Sequence, residues 1–146
     1  MNKWDGLKIA ERVEIKKEIN RRLQFAPWIP IRFASALHGT GVGDLFVDIQ
    51  RVNEAGEFNV KTPELNQILD NLTHDHPPPS SNGRQIKLRY AHKVGSYPPT
   101  IMIHGNQTER LPSSYVRYLE NRYRDKLDLV GMPLRIKTRS SDCLLY

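Results

Sequence analysis

Cysteine is nearly absent from this chain of 146 residues. Cys143 stands alone, so it can form neither an internal disulfide nor, by itself, a thiolate metal site. Long apolar runs are also missing, and no segment approaches the roughly 18 residues that a membrane-spanning helix needs. The chain does not open with the regions of a secretory signal. These absences predict a soluble, cytoplasmic protein without a membrane span or a disulfide framework.

Acidic residues are too few to balance the basic ones. The chain has 22 Lys and Arg against 16 Asp and Glu, a formal charge of +6. Residues 1–59 carry 9 basic and 8 acidic side chains, whereas residues 60–146 carry 13 and 8, so the excess lies in the second half. A positive surface favours polyanions such as RNA or ribosomal phosphate, although a solubilising charge excess explains the total equally well.

The first 56 residues show the order helix, strand, loop, helix. Apolar residues spaced by four predict an amphipathic helix over 7–25, and a β-branched and aromatic run predicts a buried strand over 31–36. A glycine-rich turn then leads into a second helix over 45–56. Two helices and one strand indicate an α/β unit but cannot complete a doubly wound sheet. This half therefore resembles the end of a larger domain.

A second module begins near residue 60 and shows the order α-β-β-α-β. Thr62 is expected to cap a helix that Pro63 opens, and Ser113 is expected to cap the second helix. Three strands and two helices can bury a modest core, so this module is predicted to be a complete α+β domain. Its loop and strands are predicted over 74–83, 85–92, 100–104 and 134–138.

The most specific pattern is Asn2-Lys3-Trp4-Asp5, followed about thirty residues later by Ser35-Ala36. Guanine presents an N1 hydrogen and an N2 amino group that one carboxylate accepts together, and O6 and N7 acceptors that need donors. Asp5 suits the first task, while the Asn2 amide and the Ala36 N–H suit the second. Adenine reverses this edge and would leave the carboxylate unpaired. Taken alone, the first pattern also fits a turn and helix cap.

These two patterns resemble the NKxD and SA guanine-recognition motifs of the translation-factor class of GTPases. The following residues resemble the bacterial tandem GTPase family Der, also called EngA, and the resemblance covers about residues 2–139. They include Ser35 to Leu45, Thr62-Pro63, Lys87 to Tyr90, Pro98 to Thr100, Ser113 to Asn121 and Gly131 to Ile136. The resemblance implies a partial α/β P-loop GTPase domain over 1–59, an α+β KH-like domain over 60–139 and a tail over 140–146.

The resemblance also implies a function. Members of the family are GTP-hydrolysing assembly factors of the large (50S) ribosomal subunit, so the expected cofactors are GTP or GDP with Mg²⁺, and the expected partners are rRNA and upstream GTPase domains. The P-loop, the switch threonine and the Mg²⁺-linked aspartate motif do not occur in this sequence, so we expect no catalytic residues and no hydrolysis by this chain alone. The implied guanine-binding residues are Asn2, Lys3, Asp5, Ser35 and Ala36, with the Lys3 stem along the base.

Three other patterns resemble sites but have simpler explanations. The glycines within 39–43 fit no phosphate-binding loop, because Asp44 stands where the last glycine would be, so a flexible loop is favoured. His74-Asp75-His76 has no third ligand in view, which favours exposed imidazoles over a metal site. Residues 143–146 formally fit the prenylation pattern C-a-a-X, but tyrosine is not a usual last residue.

RNA contact is predicted from charge, since the phosphate-clamping GXXG of KH domains does not occur in this sequence. Tyr90 and Tyr118 are candidate stacking groups. For any single cation a solvated charge or an ion pair is the more common role, but as a set the cations predict a basic face. The candidate RNA-binding residues are Arg84, Lys87, Arg89, Lys93, Arg117, Arg122, Arg124, Arg135, Lys137 and Arg139.

Two functions remain open at this point. The chain is either the C-terminal part of a Der-type GTPase, ribosome-associated when complete, or a stand-alone KH-like module that binds rRNA or protein and carries a vestigial G-domain remnant. Strong guanine-nucleotide binding by the chain would favour the first. A third hypothesis, an enzyme with unrelated chemistry, has no support, because the sequence shows no arrangement of a nucleophile and a base. Residues 1–58 are expected to be unstable or to oligomerise when expressed alone, because strand edges and helix faces would be uncovered.

Overall fold

The computed structural model describes residues 1–141. Cys143, the C-a-a-X pattern and all but the first two residues of the predicted tail lie outside the described residues. Backbone contacts divide the chain into two compact units. The first comprises Met1–Ala55 and Val130–Met132, and the second comprises Gly56–Leu129 and the residues from Pro133 onward.

Two helices form most of the first unit, α1 (Ile9–Arg22) and α2 (Val42–Gly56). The carboxylate of Glu11 accepts a hydrogen bond from the Lys8 N–H at 2.7 Å and so satisfies one of the donors at the start of α1. Both predicted helices are confirmed, α1 with shorter ends and α2 with an earlier start. None of the residues of α1 is buried, and only Gly56 is buried in α2.

The predicted strand over 31–36 does not form a regular strand. Its backbone is extended and pairs with the first residues of the chain: the Ala34 N–H donates to the Met1 carbonyl at 2.9 Å, and the Trp4 N–H donates to the Ala34 carbonyl at 3.2 Å. The amino group of Met1 donates to the Arg32 carbonyl at 2.8 Å. This short pairing runs parallel. The strand prediction was wrong because a ladder needs a longer partner segment than the described residues provide here.

The second unit is a three-stranded sheet with two long helices. Its sheet has the order β3-β4-β5, with β3 and β4 antiparallel and β4 and β5 parallel. The predicted α-β-β-α-β order is therefore confirmed. The elements are α3 (Thr62–Asp75), β1 (Ser80–Ser81), β2 (Arg84–Gln85), β3 (Lys87–Ser96), β4 (Pro99–Asn106), a 3₁₀ turn (Thr108–Arg110), α4 (Ser113–Lys126) and β5 (Arg135–Ser140).

A small hairpin within and just after the predicted proline-rich loop was missed. Strands β1 and β2 pair antiparallel around Asn82 and Gly83, whose φ angles are 50° and 72°. Two residues with positive φ close a tight hairpin, and Asn-Gly is the sequence most typical of that turn. The Asn82-Gly83 dipeptide was the sequence signal from which the hairpin could have been predicted.

The core of the second unit lies between the two helices and one face of the sheet. Leu65 and Leu69 of α3, Ile101 and Ile103 of β4 and Leu119 of α4 are at most 1% exposed. The hydroxyl of buried Tyr123 donates to the Leu65 carbonyl at 2.8 Å and ties α4 to α3, and burial raises the pKa of Tyr123.

Strand β3 does not keep the simple alternation that was predicted for Ile86, Leu88 and Tyr90. Its register against β4 shifts between Leu88 and Tyr90, as at a β-bulge. Tyr90 consequently leaves the helix-facing side and is 45% exposed, whereas Ala91 is fully buried. The Asn66 side chain fixes Ala91, accepting from its N–H at 2.8 Å and donating to its carbonyl at 2.9 Å.

Neither predicted helix cap is a cap in the structure. Thr62 and Ser113 are already the first helical residues, and the capping positions belong to Lys61 and Pro112, with ψ angles of 144°. The extended backbone ends one residue earlier than expected, because Thr62 and Ser113 have turned into the helix. Within residues 1–141 no helix is long and apolar enough to cross a membrane.

Candidate functional site

The two predicted guanine motifs meet where the paired extended segments end. The side-chain oxygen of Asn2 accepts hydrogen bonds from the Lys3 N–H at 2.8 Å and from the Ala36 N–H at 3.0 Å. One amide oxygen therefore holds together two segments that are 34 residues apart. The Ala36 N–H, which was expected to donate to guanine, already has an acceptor in Asn2, so a base would have to share or replace that bond.

Asp5 carries the clearest sign of an unfilled interaction. Its Oδ2 atom is buried and has no hydrogen-bond partner within residues 1–141. A carboxylate oxygen withdrawn from water without a donor is costly, and buried polar atoms in folded proteins are nearly always paired. The N1 and N2 hydrogens of guanine are donors of the kind that this atom lacks. The residues present therefore fit a guanine base.

All five predicted guanine-binding residues line the same cavity. It has a volume of about 570 Å³, which is large enough for a nucleobase. Lys3 adopts a φ angle of 62°, an uncommon backbone conformation for a residue with a side chain and one that occurs often at functional sites. The cavity is lined by Asn2, Lys3, Asp5, Gly6, Ser35, Ala36, Leu37 and His38.

The glycine-rich loop follows directly after Ser35 and Ala36. The buried Ser35 donates its N–H to the Thr40 carbonyl at 3.0 Å, which folds the loop back on itself. Gly41 has a φ angle of 70°, and a Cβ atom there would lie 2.7 Å from the Phe33 carbonyl oxygen. Gly41 is thus required by a tight turn that leads into α2, whereas the sequence had predicted only a flexible loop.

Trp4, the variable position of the first motif, anchors it. The Trp4 ring lies 4.0 Å from the Phe33 ring, centroid to centroid, and the cations of Arg12 and Lys16 lie 5.4 and 5.7 Å from its centre. These contacts orient the neighbouring Asp5. Sequence reasoning missed this role, although an aromatic residue inside the motif and another in the predicted strand were visible.

The second candidate site is the sheet. Strands β3, β4 and β5 together contain six Lys and Arg residues and no Asp or Glu. In β5 the buried Ile136 points toward the helices, so its exposed neighbours lie on the opposite face. Those neighbours are Arg135, Lys137 and Arg139, while Lys87 and Arg89 are exposed on β3.

The predicted basic residues do not all share one surface. Arg117 and Arg122 are exposed on α4, and Arg84 is exposed on β2. Lys93 donates its ammonium group to the Phe58 carbonyl and lies 5.1 Å from the Phe58 ring, so an internal contact occupies it. The basic surface of the sheet therefore contains fewer residues than the ten that were predicted.

Arg124 and Tyr118 correct the prediction further. Arg124 is only 9% exposed and donates to Asn121 at 3.0 Å, and burial lowers its pKa, so its predicted place on an exposed basic face was wrong. The Tyr118 hydroxyl donates to the Leu72 carbonyl at 3.2 Å, and its ring lies against His76. Contacts within and between the helices occupy both side chains. The helical periodicity of the α4 sequence did not reveal these contacts.

The exposed His74 and His76 do not combine with a third ligand in the structure. The ring of His76 instead stacks against Tyr115 with centroids 5.7 Å apart. Within residues 1–141 no group of three His, Cys, Asp or Glu side chains is placed to hold a metal ion.

Comparison with known proteins identifies the family. Residues 59–139 match the family described as the KH-domain-like of EngA bacterial GTPase enzymes, C-terminal. The chain is 51% identical over 142 residues to the GTPase Der of Pseudomonas putida (strain GB-1), covering 97% of this chain and 29% of that protein. It is 46% identical over 140 residues to the GTPase Der of Alcanivorax borkumensis, covering 96% and 30%.

The length of the match matters as much as its identity. The chain spans about 30% of the length of the curated relatives it matches. The match to the KH-like family covers more than half of the chain and coincides with the α3-to-β5 unit. The resemblance inferred from the motifs is thus confirmed. The chain belongs to the EngA (Der) family of bacterial GTPases and carries that family's C-terminal KH-like domain.

Proposed function

We propose that this chain is the C-terminal part of a Der-type GTPase that acts in assembly of the large (50S) ribosomal subunit. Residues 1–59 contribute the guanine-reading edge of a G domain, and residues 60–139 contribute a KH-like domain that contacts rRNA. The cytoplasmic, ribosome-associated setting belongs to the same proposal. Its support is the family membership together with the two sites described above.

One observation carries the guanine assignment. Asp5 lines a cavity together with the other four predicted guanine residues, and its Oδ2 atom is buried without a donor within the described residues. A base that supplies two adjacent N–H donors would satisfy this oxygen, and guanine does so at N1 and N2. Adenine offers no such pair and would leave the carboxylate unpaired, which is the basis of discrimination.

This chain is not expected to hydrolyse GTP alone. Phosphoryl transfer depends on groups that hold the phosphates and Mg²⁺. The sequence contains no GxxxxGK[ST] loop, so those groups must come from upstream GTPase domains. Binding of GTP or GDP with Mg²⁺ therefore requires the complete protein, in which this chain contacts the guanine base.

The rRNA assignment follows from charge separation. All 16 acidic residues lie outside the three sheet strands, which hold six cations. A sheet surface without carboxylates attracts phosphate and does not repel it at short range. The residues that we assign to this contact are Lys87, Arg89, Arg135, Lys137 and Arg139.

Calorimetric titration with GDP in Mg²⁺ buffer tests the nucleotide part of the proposal. The chain alone should not bind measurably, and a chimera in which it replaces the matching segment of a full-length relative should bind GDP and not ADP. Asp5→Ala in the chimera should abolish that preference. Unchanged preference in the variant would refute the guanine assignment, and tight GDP binding by the chain alone would refute the expectation that upstream domains must supply the phosphate site.

A further inference from the structure

Three ring side chains form a continuous cluster on the sheet face opposite α3 and α4. The ring centroids of His92 and His104 lie 5.1 Å apart with nearly parallel planes, and Tyr90 lies 5.5 Å from His92 and 6.1 Å from His104. Tyr90 is 45% exposed, and both histidines are partly exposed. The cluster thus presents flat, sp² surface to the outside.

The bulge in β3 creates this cluster. The register shift between Leu88 and Tyr90 places Tyr90 opposite His104, and His92 lies opposite Met102. Without the shift Tyr90 would lie among the core residues, since it is two residues from Leu88. An aromatic ring that a bulge turns outward is difficult to explain by packing alone.

Across the sheet, the rings of β3 and β4 are followed by cations on β5. His104 is opposite Tyr90 on one side and Arg139 on the other, and Met102 is opposite His92 and Lys137. Rings therefore occupy the β3 side of the surface, and exposed cations occupy the β5 side. No Asp or Glu occurs in any of the three strands.

We propose that this surface, Tyr90, His92 and His104 beside Lys137 and Arg139, binds an unpaired RNA segment by stacking bases on the rings and phosphates against the cations. Single-stranded nucleic acid is held in this way, by aromatic side chains next to a positive groove. A duplex keeps its bases stacked inside and cannot offer them to the rings. An acidic protein would satisfy the cations and leave the rings unused.

This inference rests on the proposed rRNA contact and specifies its chemistry. It differs from phosphate clamping by a loop, because the reading surface is the sheet itself. It also gives a role to His92 and His104, which the proposed function does not otherwise use. The Nδ1 atom of His92 is buried without a hydrogen-bond partner among the described residues, so the ring is held by its face contacts.

Fluorescence anisotropy with the full chain at low salt tests the inference without any substitution. The probes are a labelled oligouridylate, the same ribose-phosphate strand without bases, a duplex of equal length, and polyglutamate. We expect the base-bearing strand to bind at least about fivefold tighter than the abasic strand, the effect of one stacked base. Equal affinity for the two strands would overturn stacking and leave the RNA contact intact.

Ring substitutions supply the second arm. Combined Tyr90→Ala and His92→Ala should remove the preference for bases, whereas Tyr90→Phe and His92→Phe should keep it, because a ring remains. The matched control replaces exposed Tyr97 and His74, which lie outside the cluster, by alanine. Circular dichroism verifies folding, and loss in the phenylalanine variants would contradict stacking.

The remaining outcomes separate this inference from the proposed function. Absence of binding to every RNA probe would refute the rRNA contact itself. Binding of polyglutamate as tight as that of oligouridylate would refute nucleic-acid recognition in favour of an acidic partner. Duplex binding as tight as oligouridylate binding would retain the rRNA contact and overturn the choice of unpaired RNA.

Discussion

In the guanine site that we propose, a single residue would determine which base the first unit accepts. Asp5 presents a buried carboxylate oxygen without a partner among the described residues, and Asn2 positions the second motif beside it. The cost of an unpaired charged acceptor makes the choice of base sharp, because a wrong base leaves that cost in place. Specificity at this scale depends on one atom and not on the area of contact.

Asp5→Asn in the chimera should exchange one base for another. An amide offers an N–H donor where the carboxylate offered only acceptors, and xanthine carries an oxygen at the position of the guanine amino group. GDP affinity should fall by about 10- to 150-fold, the effect of losing a hydrogen bond to a charged group, and affinity for xanthosine diphosphate should rise. Competition titration measures both, and a fall for both nucleotides would count against base reading by this residue.

Gly41→Ala should destabilise the first unit without touching the base-reading side chains. The new Cβ would lie 2.7 Å from the Phe33 carbonyl oxygen, at a φ angle that alanine disfavours. We expect a loss of about 1–3 kcal/mol, the range for such backbone strain. Gly43→Ala in the first turn of α2, where a Cβ meets nothing within 4 Å, is the control. Denaturant unfolding followed by the fluorescence of Trp4 and Trp28 measures both, and equal losses would exclude a special role for the turn.

His104 gives the sheet a pH dependence of known sign. Burial lowers its pKa below the usual 6.5, and the neighbouring His92 and Arg139 act in the same direction. Tyr90 and Lys137 complete the groups on this surface, and none supplies a negative charge near neutrality. The folded state disfavours the protonated ring, so its stability is complete above pH 6.5 and falls as the pH decreases through that value.

His104→Gln should therefore reduce the acid loss of stability. Unfolding midpoints measured between neutral pH and about pH 5 should decrease less in the variant than in the parent. His74→Gln replaces an exposed histidine on α3, outside the sheet, and is the control for removal of an imidazole. A steeper profile in His104→Gln would show that protonation stabilises the fold, opposite to expectation.

At the scale of elements, the pairing of β3 with β4 carries the architecture of the second unit. The two strands run antiparallel over most of their lengths, and β4 also pairs with β5, so β4 is the centre of the sheet. The bulge in β3 shifts the register after Leu88, so that Ala91 faces the core and Tyr90 faces outward. Close backbone approach makes this pairing sensitive to added atoms.

Gly105→Ala should disrupt that pairing. A Cβ atom at Gly105 would overlap the Lys87 carbonyl oxygen of the neighbouring strand, which is backbone and cannot rotate away. A loss of about 1–3 kcal/mol is expected, as for overpacking in a core. Gly95→Ala, whose Cβ would meet the Thr100 hydroxyl at an ordinary 3.4 Å, is the control and should change stability far less. Thermal unfolding decides, and an unaffected Gly105→Ala protein would mean that the strands separate at little cost.

At the scale of the whole molecule, the two units differ in how much core they bury. The second unit holds most of the buried apolar side chains, while α2 in the first exposes Phe46, Val47 and Ile49 at 63–70%. Such an apolar helix face is typical of a surface that another element covers. We attribute it to upstream parts of a G domain, in line with the proposed function.

Hydrogen exchange should separate the units. Amides of α3 and β4 should be protected nearly to the level of global unfolding, and amides of α1 and α2 should exchange much faster, since few buried contacts hold those helices. A fragment covering residues 59–141 should keep the unfolding midpoint of the second unit. Strong protection of α1 in a dilute monomer, or failure of the fragment to fold, would contradict this division.

The sequence by itself determined the family and the α-β-β-α-β order, and it contains the two motifs from which we propose the guanine site. Those features depend on local spacing: apolar residues every three to four positions, a proline at a helix start and a four-residue motif that tolerates few alternatives. The positions of α1, α3 and α4 followed for the same reason, within a few residues at their ends.

Only the tertiary structure decided what depends on distant partners. The segment 31–36 pairs briefly with the chain start and forms no regular strand, because strand formation requires a neighbour. Arg124 is buried and Tyr90 is exposed because packing and a register shift override the periodicity of one element. The ring cluster of His92 and His104 and the unpaired oxygen of Asp5 likewise arise from residues far apart in the chain, where spacing carries no information about proximity.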